Sequence, residues 1–381
     1  MPPAPSSGRP PTLGILGGGQ LGRMTALAAL RMGVDVRLLT PESGGSETAF
    51  AGATVADWTD ADVLRRWAAG CDAVTVESEW APADRIADAM PGLPLWPAPA
   101  TLLAVRHKGR QRAVLDTAGL PAPPFEAVAT VSDAHAARAR MGGTVVLKRF
   151  EGSYDGYGNA TCHSDDEVDA AWEHLAAPDG LLVEAFASFE SEAAVIVARR
   201  AGGDHVVYPV VRTEQRDHRL HAAELPARLS ADVEALARRV ALGAVEALDA
   251  VGVLAVEFFV MADGQVWINE VAPRPHNTGH ITIEACHTSQ FENHVRAVLD
   301  WPLGDPSLRA PAAALVNVLG HAGAQAFPDP RAALAVPGAA VHLYGKAESR
   351  ARRKMGHVTV TADSPDRARL LAEQAAASLT A

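Results

Sequence analysis

Cysteine is scarce: Cys71, Cys162 and Cys286 stand among 381 residues, with no two close in sequence. That spacing excludes a disulfide framework and a zinc site built on thiolates. Aromatic residues amount to only 5%, and no run of about 20 apolar residues occurs, so no membrane-spanning helix is expected. A basic segment leading into an apolar one is missing at the start, where residues 1–11 read as a Pro/Ser-rich disordered tail. Positive charge is also short. Lys and Arg number 34 against 45 Asp and Glu, a net charge of −11 that argues against nucleic acid and anionic membranes as partners. With 48% hydrophobic residues, the chain reads as a soluble, cytoplasmic protein of two or three packed units.

What is present begins with alternating strand and helix signals. Residues 13–16 form an apolar run, Gly17 to Gly22 break it, and Leu21, Met24, Ala28 and Met32 recur at helical spacing until Gly33. Strands follow at 34–39 and 73–76, the second ending in Glu77-Ser78-Glu79-Trp80. This alternation predicts a parallel α/β sheet over 12–104. Pro-rich passages at 91–99 and 121–124 flank a helix carrying Arg106 and Lys108 and open the largest unit, 105–305. Its expected strands are 145–148, 181–184, 206–211 and 254–260, with a helix over 231–248. A small closing unit, 306–381, has strands near 340–344 and 357–360. Between Lys346 and His357, five cations face Glu348 alone, a pattern compatible with a small anion site.

Three constellations carry chemistry. The run Gly17-Gly18-Gly19-Gln20-Leu21-Gly22 matches G-x-G-x-x-G between strand and helix, where free N–H groups favour a phosphate. A tight turn, a phosphate or other polar ligand, and a dinucleotide stay open. Against the dinucleotide, the second strand runs into Thr40-Pro41, with no acid at its end to hold a ribose. Next, Lys148 closes an apolar strand ahead of Gly152, Gly156 and Gly158, a loop able to fold over phosphates. Finally, Ala262-Asp263-Gly264 is a hairpin turn between apolar strands. With Asp263-Gly264 at its centre, Glu257 lies opposite Glu270. Carboxylates so opposed, with Cβ atoms about 4.5–5.5 Å apart, repel unless a cation sits between them. Mg²⁺ suits the pair, with Asn269 as a further oxygen donor; an ion pair with a nearby Arg is the alternative. In the following stretch His276 and His280 are four apart, but Pro275 and Gly279 interrupt a helix and no third zinc ligand is evident. A loop presenting Arg274 and His276 to a small anion is the better reading.

Together these features resemble the ATP-grasp fold, and within it the N5-carboxyaminoimidazole ribonucleotide synthases. The resemblance covers nearly the whole chain, in GGGQLGRM (17–24), TVESE (75–79), Tyr154-Asp155-Gly156, NEVAPRPHNTGH (269–280) and YGKAESRARRKMGH (344–357). It implies an N-terminal parallel α/β domain, an ATP-grasp domain and a small β-rich C-terminal domain. The implied activity is carboxylation of aminoimidazole ribonucleotide in purine biosynthesis, with ATP and bicarbonate as co-substrates, carboxyphosphate as intermediate, Mg²⁺ as cofactor and a homodimer as assembly. By resemblance, Arg106, Lys148, Ser153, Tyr154, Gly156, Glu184, Glu192, Gln215 and Asn269 bind ATP, and Glu257 and Glu270 bind Mg²⁺. Gln20, Glu77, Tyr154, Asp155, Lys346 and Arg353 face the ribonucleotide, Arg274 and His276 hold bicarbonate or carboxyphosphate, and Asp155 takes the amine proton.

Three residues depart from the family pattern: Ser153 for a glycine, Tyr157 for a basic residue and Gln215 for a histidine. Arg352, where the family has glycine, is expected to supply the charge missing at Tyr157. A formate-dependent ribonucleotide transformylase is the nearest rival. An NAD(P)-dependent oxidoreductase on the first glycine motif and a catalytically silent nucleotide sensor are more distant ones.

Overall fold

The computed structural model describes residues 8–43, 45–50, 52–152, 157–175, 179–321, 323 and 325–379. Strands β1 (Thr12–Leu16), β2 (Asp35–Thr40), β3 (Ala53–Val55), β4 (Ala73–Val76) and β5 (Leu95–Trp96) form a parallel sheet in the order β3-β2-β1-β4-β5. Every residue of β1 and β4 is buried, as befits parallel strands covered on both faces. The strand order reverses between β1 and β4, so their carboxyl ends open the crevice where such sheets hold ligands.

A second, antiparallel sheet contains β6 (Phe125–Val128), β7 (Val145–Arg149), β8 (Asn159–Cys162) and β9 (Leu181–Ala185) in the order β6-β9-β7-β8. The largest sheet holds β10 (Ser191–Arg199), β11 (His205–Val207), β12 (Val211–Arg216), β13 (Arg219–Leu225), β14 (Gly252–Val260), β15 (Val266–Ala272), β16 (Ala312–Leu319), β17 (Ala339–Leu343) and β18 (Lys354–Ala362). Its order is β15-β14-β10-β12-β13-β16-β18-β17, with β11 beside β10, and all pairs are antiparallel. The C-terminal strands thus continue the same sheet through β13 and β16. The helix Ala231–Ala247, capped by the Ser230 side chain, buries Ala237, Val240, Ala241, Ala244 and Val245. These residues join β10, β14 and β15 in one apolar core.

Two elements differ from expectation. The strand expected over 206–211 divides at Pro209, which has no N–H for the ladder. Tyr208 is fully buried there and donates its hydroxyl to the Thr288 carbonyl at 3.1 Å. The single helix expected to carry Arg106 and Lys108 is two, Pro99–Arg106 and Lys108–Thr117. Extended His107 lies between them and accepts the Arg110 N–H on Nδ1. Among the described residues no helix is long and apolar enough to cross a membrane.

One imidazole pins the parallel sheet to the largest one. His294, on the helix Gln290–Val298, is fully buried; its Nδ1 accepts the Val253 N–H of β14 at 3.0 Å. That leaves the Nε2–H to donate to Thr75 Oγ1 of β4 at 2.8 Å. Burial pushes His294 down to about 3 from an ordinary 6.5. As pH falls below 6.5, the unfolded chain therefore takes up this proton and the folded one does not, so stability is lost until about pH 3. Each such histidine contributes a slope of about 1.4 kcal/mol per pH unit. His294→Asn should be less stable than the parent at pH 8, where it lacks both bonds. The difference should narrow at pH 5.5, as measured by urea unfolding at the two pH values.

Candidate active site

The hairpin of β14 and β15 sets the floor of the site. Met261 N–H donates to the Gln265 carbonyl and Val260 pairs with Val266, so the turn holds three residues, 262–264, with Gly264 at φ +83°. That turn alone would place Glu257 opposite Asn269. A bulge beyond Phe258–Ile268 gives β15 one extra residue, and Glu257 faces Glu270 as expected, though by a different route. Arg112, 2% exposed on the helix Lys108–Thr117, secures the bulge. Its two terminal nitrogens donate to the Ile268 and Asn269 carbonyls at 2.7 and 2.5 Å, and Nε binds the Glu184 carboxylate. The other Glu184 oxygen takes Lys148 Nζ at 2.6 Å. Burial alone would raise Glu184, but Lys148 and Arg112 hold it at about 2.

The two floor carboxylates differ in surroundings. Desolvation, Glu270 and Glu192 together push Glu257 well above the carboxylate range. For Glu270 desolvation works the same way, yet Lys108, its Nζ 2.6 Å from Oε2, outweighs it and keeps the group ionised. The alternative of an ion pair to one carboxylate is thus met by a lysine rather than an arginine. His276 lies beside Glu257, Nε2 to Oε1 3.4 Å, and its Nδ1 sits 2.8 Å from Thr278 Oγ1. Burial and Arg274 push His276 down to about 3, so it is a neutral imidazole. Arg274 is bound by Glu79 at the end of β4, Nε to Oε2 2.7 Å.

These groups share a cleft of about 980 Å³ walled by the two antiparallel sheets, with the ends of the parallel sheet at one side. Of the residues named from sequence, Gln20, Arg106, Lys148, Glu184, Glu192, Gln215, Glu257, Asn269, Glu270, Arg274 and His276 line it. Glu192 stands on β10, its carboxyl pushed up to about 7 by burial. Glu77, Lys346 and Arg353 do not line the cleft. Lys346 Nζ donates to the Lys354 carbonyl at 2.7 Å and lies 5.6 Å from the Tyr344 ring centre; desolvation, Arg353 and Lys354 push it down to about 8. Arg353 donates to the Glu348 carbonyl. Arg352 is exposed, 4.0 Å from Asp217 at the cleft wall. Ser153, Tyr154, Asp155 and Gly156 lie outside the described residues.

The first glycine motif already has its anion. Glu77, at the carboxyl end of β4, accepts the Gly19 N–H on both oxygens at 2.9 and 2.8 Å, and the Gly22 N–H at 2.7 Å. Gly17, at φ +126°, makes the turn, and a Cβ at Gly19 or Gly22 would fall 2.3 or 2.4 Å from a Glu77 oxygen. The N–H groups that the sequence left open to a ligand are taken by the chain's own carboxylate. Sequence reasoning assigned no role to Lys108, Arg112, Glu79 or Asn277. Lys108 and Arg112 fall on one helix face four residues apart, and that spacing is the signal the sequence carries for them.

Comparison with known proteins agrees with this geometry. Family models match in three blocks: a ribonucleotide synthetase preATP-grasp domain over 11–106, an ATP-grasp domain over 113–291 and a phosphoribosylaminoimidazole carboxylase C-terminal domain over 313–370. An N5-carboxyaminoimidazole ribonucleotide synthase of Synechococcus elongatus is 37% identical, the match spanning 91% of this chain and 89% of that one. A phosphoribosylaminoimidazole carboxylase of Schizosaccharomyces pombe is also 37% identical over 93% of this chain, which spans only 65% of that longer relative. The crystal structure of the synthetase from Thermus thermophilus superposes with a TM-score of 0.88 at 35% identity, covering 97% of this chain and 98% of that one. The synthase from Aspergillus clavatus, solved with ADP and 5-aminoimidazole ribonucleotide, gives 0.88 at 31% identity, covering 97% and 99%. With the sheets, the cleft and the sequence in agreement over almost its full length, the chain belongs to the N5-carboxyaminoimidazole ribonucleotide synthase family of ATP-grasp proteins.

Proposed function

We propose that this chain carboxylates 5-aminoimidazole ribonucleotide at the expense of ATP, with bicarbonate as carbon source and ADP and phosphate as products. The observation that carries the reading is the opposed pair Glu257 and Glu270, set in one cleft with Lys148 and Arg106 and with Arg274 and His276. The ligands of the Aspergillus clavatus relative support the choice of substrates.

Bicarbonate is a poor electrophile. Transfer of the γ-phosphoryl group to one of its oxygens gives carboxyphosphate and ADP; loss of phosphate then delivers CO₂ to the exocyclic amine, which gives up a proton. Positioning and charge neutralisation do most of this work. Lys148 and Arg106 bind ATP phosphates, and Glu184 acts through Lys148, since its own carboxylate is taken up by two cations. Glu192 and Gln215 hold the sugar end of the nucleotide, with Ser153, Tyr154 and Gly156 over its phosphates. Arg274, steadied by Glu79, and neutral His276 hold bicarbonate. Gln20, Tyr154 and Asp155 face the ribonucleotide, Lys346 and Arg353 approach it from outside the cleft wall, and Glu77 acts through the glycine turn it holds ahead of Gln20. Asp155 receives the amine proton, and Arg352 offsets the loss of charge at Tyr157. Homodimer assembly rests on the resemblance, cytoplasmic location on the composition, and the domain boundaries at 104/105 and 305/306 on the Pro-rich passages of the sequence.

The residues present fit Mg²⁺. Glu257 resists ionisation without a cation, and Asn269 adds an amide oxygen beside it in the cleft. Two carboxylates that leave further positions to phosphate and water are the usual Mg²⁺ environment. When bound, the ion neutralises phosphate charge.

Two outcomes test the proposal. ADP release from Mg-ATP should require bicarbonate and be strongly stimulated by the ribonucleotide; full activity with formate in bicarbonate-free buffer would select the transformylase rival. Glu257→Gln and Glu270→Gln should each lower turnover by about 100-fold or more. Their effects on the free protein should differ. Glu257→Gln replaces a carboxyl that already prefers its neutral form and leaves the melting temperature unchanged or higher. Glu270→Gln strands Lys108 and costs up to about 1 kcal/mol, the pair being part-exposed. Near parental turnover of either variant at limiting Mg²⁺ would remove the metal assignment.

A further inference from the structure

Asn277 lies between His276 and the turn Thr278–Ile281. It is 7% exposed and lines the cleft, yet neither Oδ1 nor Nδ2 meets a hydrogen-bond partner within the protein. A buried carboxamide without partners costs free energy, so its persistence points to a ligand that completes its bonds. The backbone around it is fixed independently. Fully buried Gln290 clamps His276 on both sides, its Oε1 accepting the His276 N–H at 3.0 Å and its Nε2 donating to the His276 carbonyl at 2.7 Å. Gly279 N–H donates to the same carbonyl, and His280 N–H donates to the Asn277 carbonyl. The main chain at 276 and 277 is thereby engaged, and the Asn277 side chain is left without a protein partner beside Arg274 and His276.

We propose that Asn277 binds bicarbonate and selects it over other small carboxylates by its hydroxyl group, an inference that rests on the carboxylase reading above. Bicarbonate carries an O–H on carbon; formate does not. A carboxamide offers an acceptor for that hydrogen and a donor for a neighbouring oxygen, which leaves the third oxygen to meet the phosphoryl group. The two neighbours cannot supply this pattern. The guanidinium of Arg274 only donates, and His276 has Nδ1 at Thr278 and Nε2 toward Glu257. Asn277 neither makes nor breaks a substrate bond; it orients and discriminates.

The test compares the full-length protein with Asn277→Leu and Asn277→Asp, following ADP release against bicarbonate with formate as competing inhibitor. Loss of one or two hydrogen bonds to an anion should raise the KM for bicarbonate about 10- to 100-fold in both variants. The KM for ATP should stay within about twofold, since the proposed phosphate contacts are Lys148 and Arg106 rather than this side chain. Formate loses at most one bond where bicarbonate loses two, so the ratio of the formate inhibition constant to the bicarbonate KM should fall by about tenfold. The Leu variant should melt no lower than the parent, because no internal hydrogen bond is removed. An unchanged bicarbonate KM, an equal rise in the formate constant, or a lowered melting temperature with a raised ATP KM would each overturn the assignment. Bicarbonate-independent turnover by the parent protein would instead overturn the carboxylase reading, and it is visible without any variant.

Discussion

One extra residue in β15, held in place by Arg112, decides which side chains face the cleft. Without the extra residue, the register would pair Glu257 with Asn269 rather than with Glu270. The three-residue turn at 262–264 introduces that offset, and the bulge cancels it. Arg112 binds the carbonyls on the bulged stretch and the Glu184 carboxylate at the same time. The register of the carboxylate floor and the position of Lys148 are therefore settled by one guanidinium, whose planar fork suits several acceptors at once.

Around that floor, three cations that face the cleft each have a carboxylate partner: Glu184 for Lys148, Glu79 for Arg274 and Glu270 for Lys108. Such pairing offsets the desolvation of long basic side chains and fixes their directions before any substrate arrives, the condition under which electrostatic catalysis is efficient. The exception runs the other way. Glu257 lies beside the neutral imidazole of His276, and the carboxyl's preference for the protonated form marks the place where positive charge is still wanted.

Much of this was legible in the sequence where local chemistry decides the outcome. The parallel sheet followed from alternating periodicities and the Glu257–Glu270 pairing from a turn signal, while the helix expected over 231–248 spans Ala231–Ala247 behind a Ser230 cap. The pairing was right for an incomplete reason, since neither the turn length nor the bulge can be read from residue types alone; Arg112 sets the bulge from more than 150 positions away in the chain. Pro209 is a breaker inside an apolar run of mostly β-branched residues, and the strand divides at it. Contacts such as Gln290 on His276, or His294 between two sheets, bring together residues that no periodicity relates.

Glu77 has a consequence for how the amino-terminal sheet meets its solvent. A carboxylate fastened by its own strand to the start of the helix Gln20–Arg31 behaves as a ligand at a fixed and very high effective concentration. Free phosphate or sulfate competes with it only as a dilute outsider. The glycine turn is therefore permanently saturated, and its order is independent of which nucleotide or anion occupies the cleft beside it.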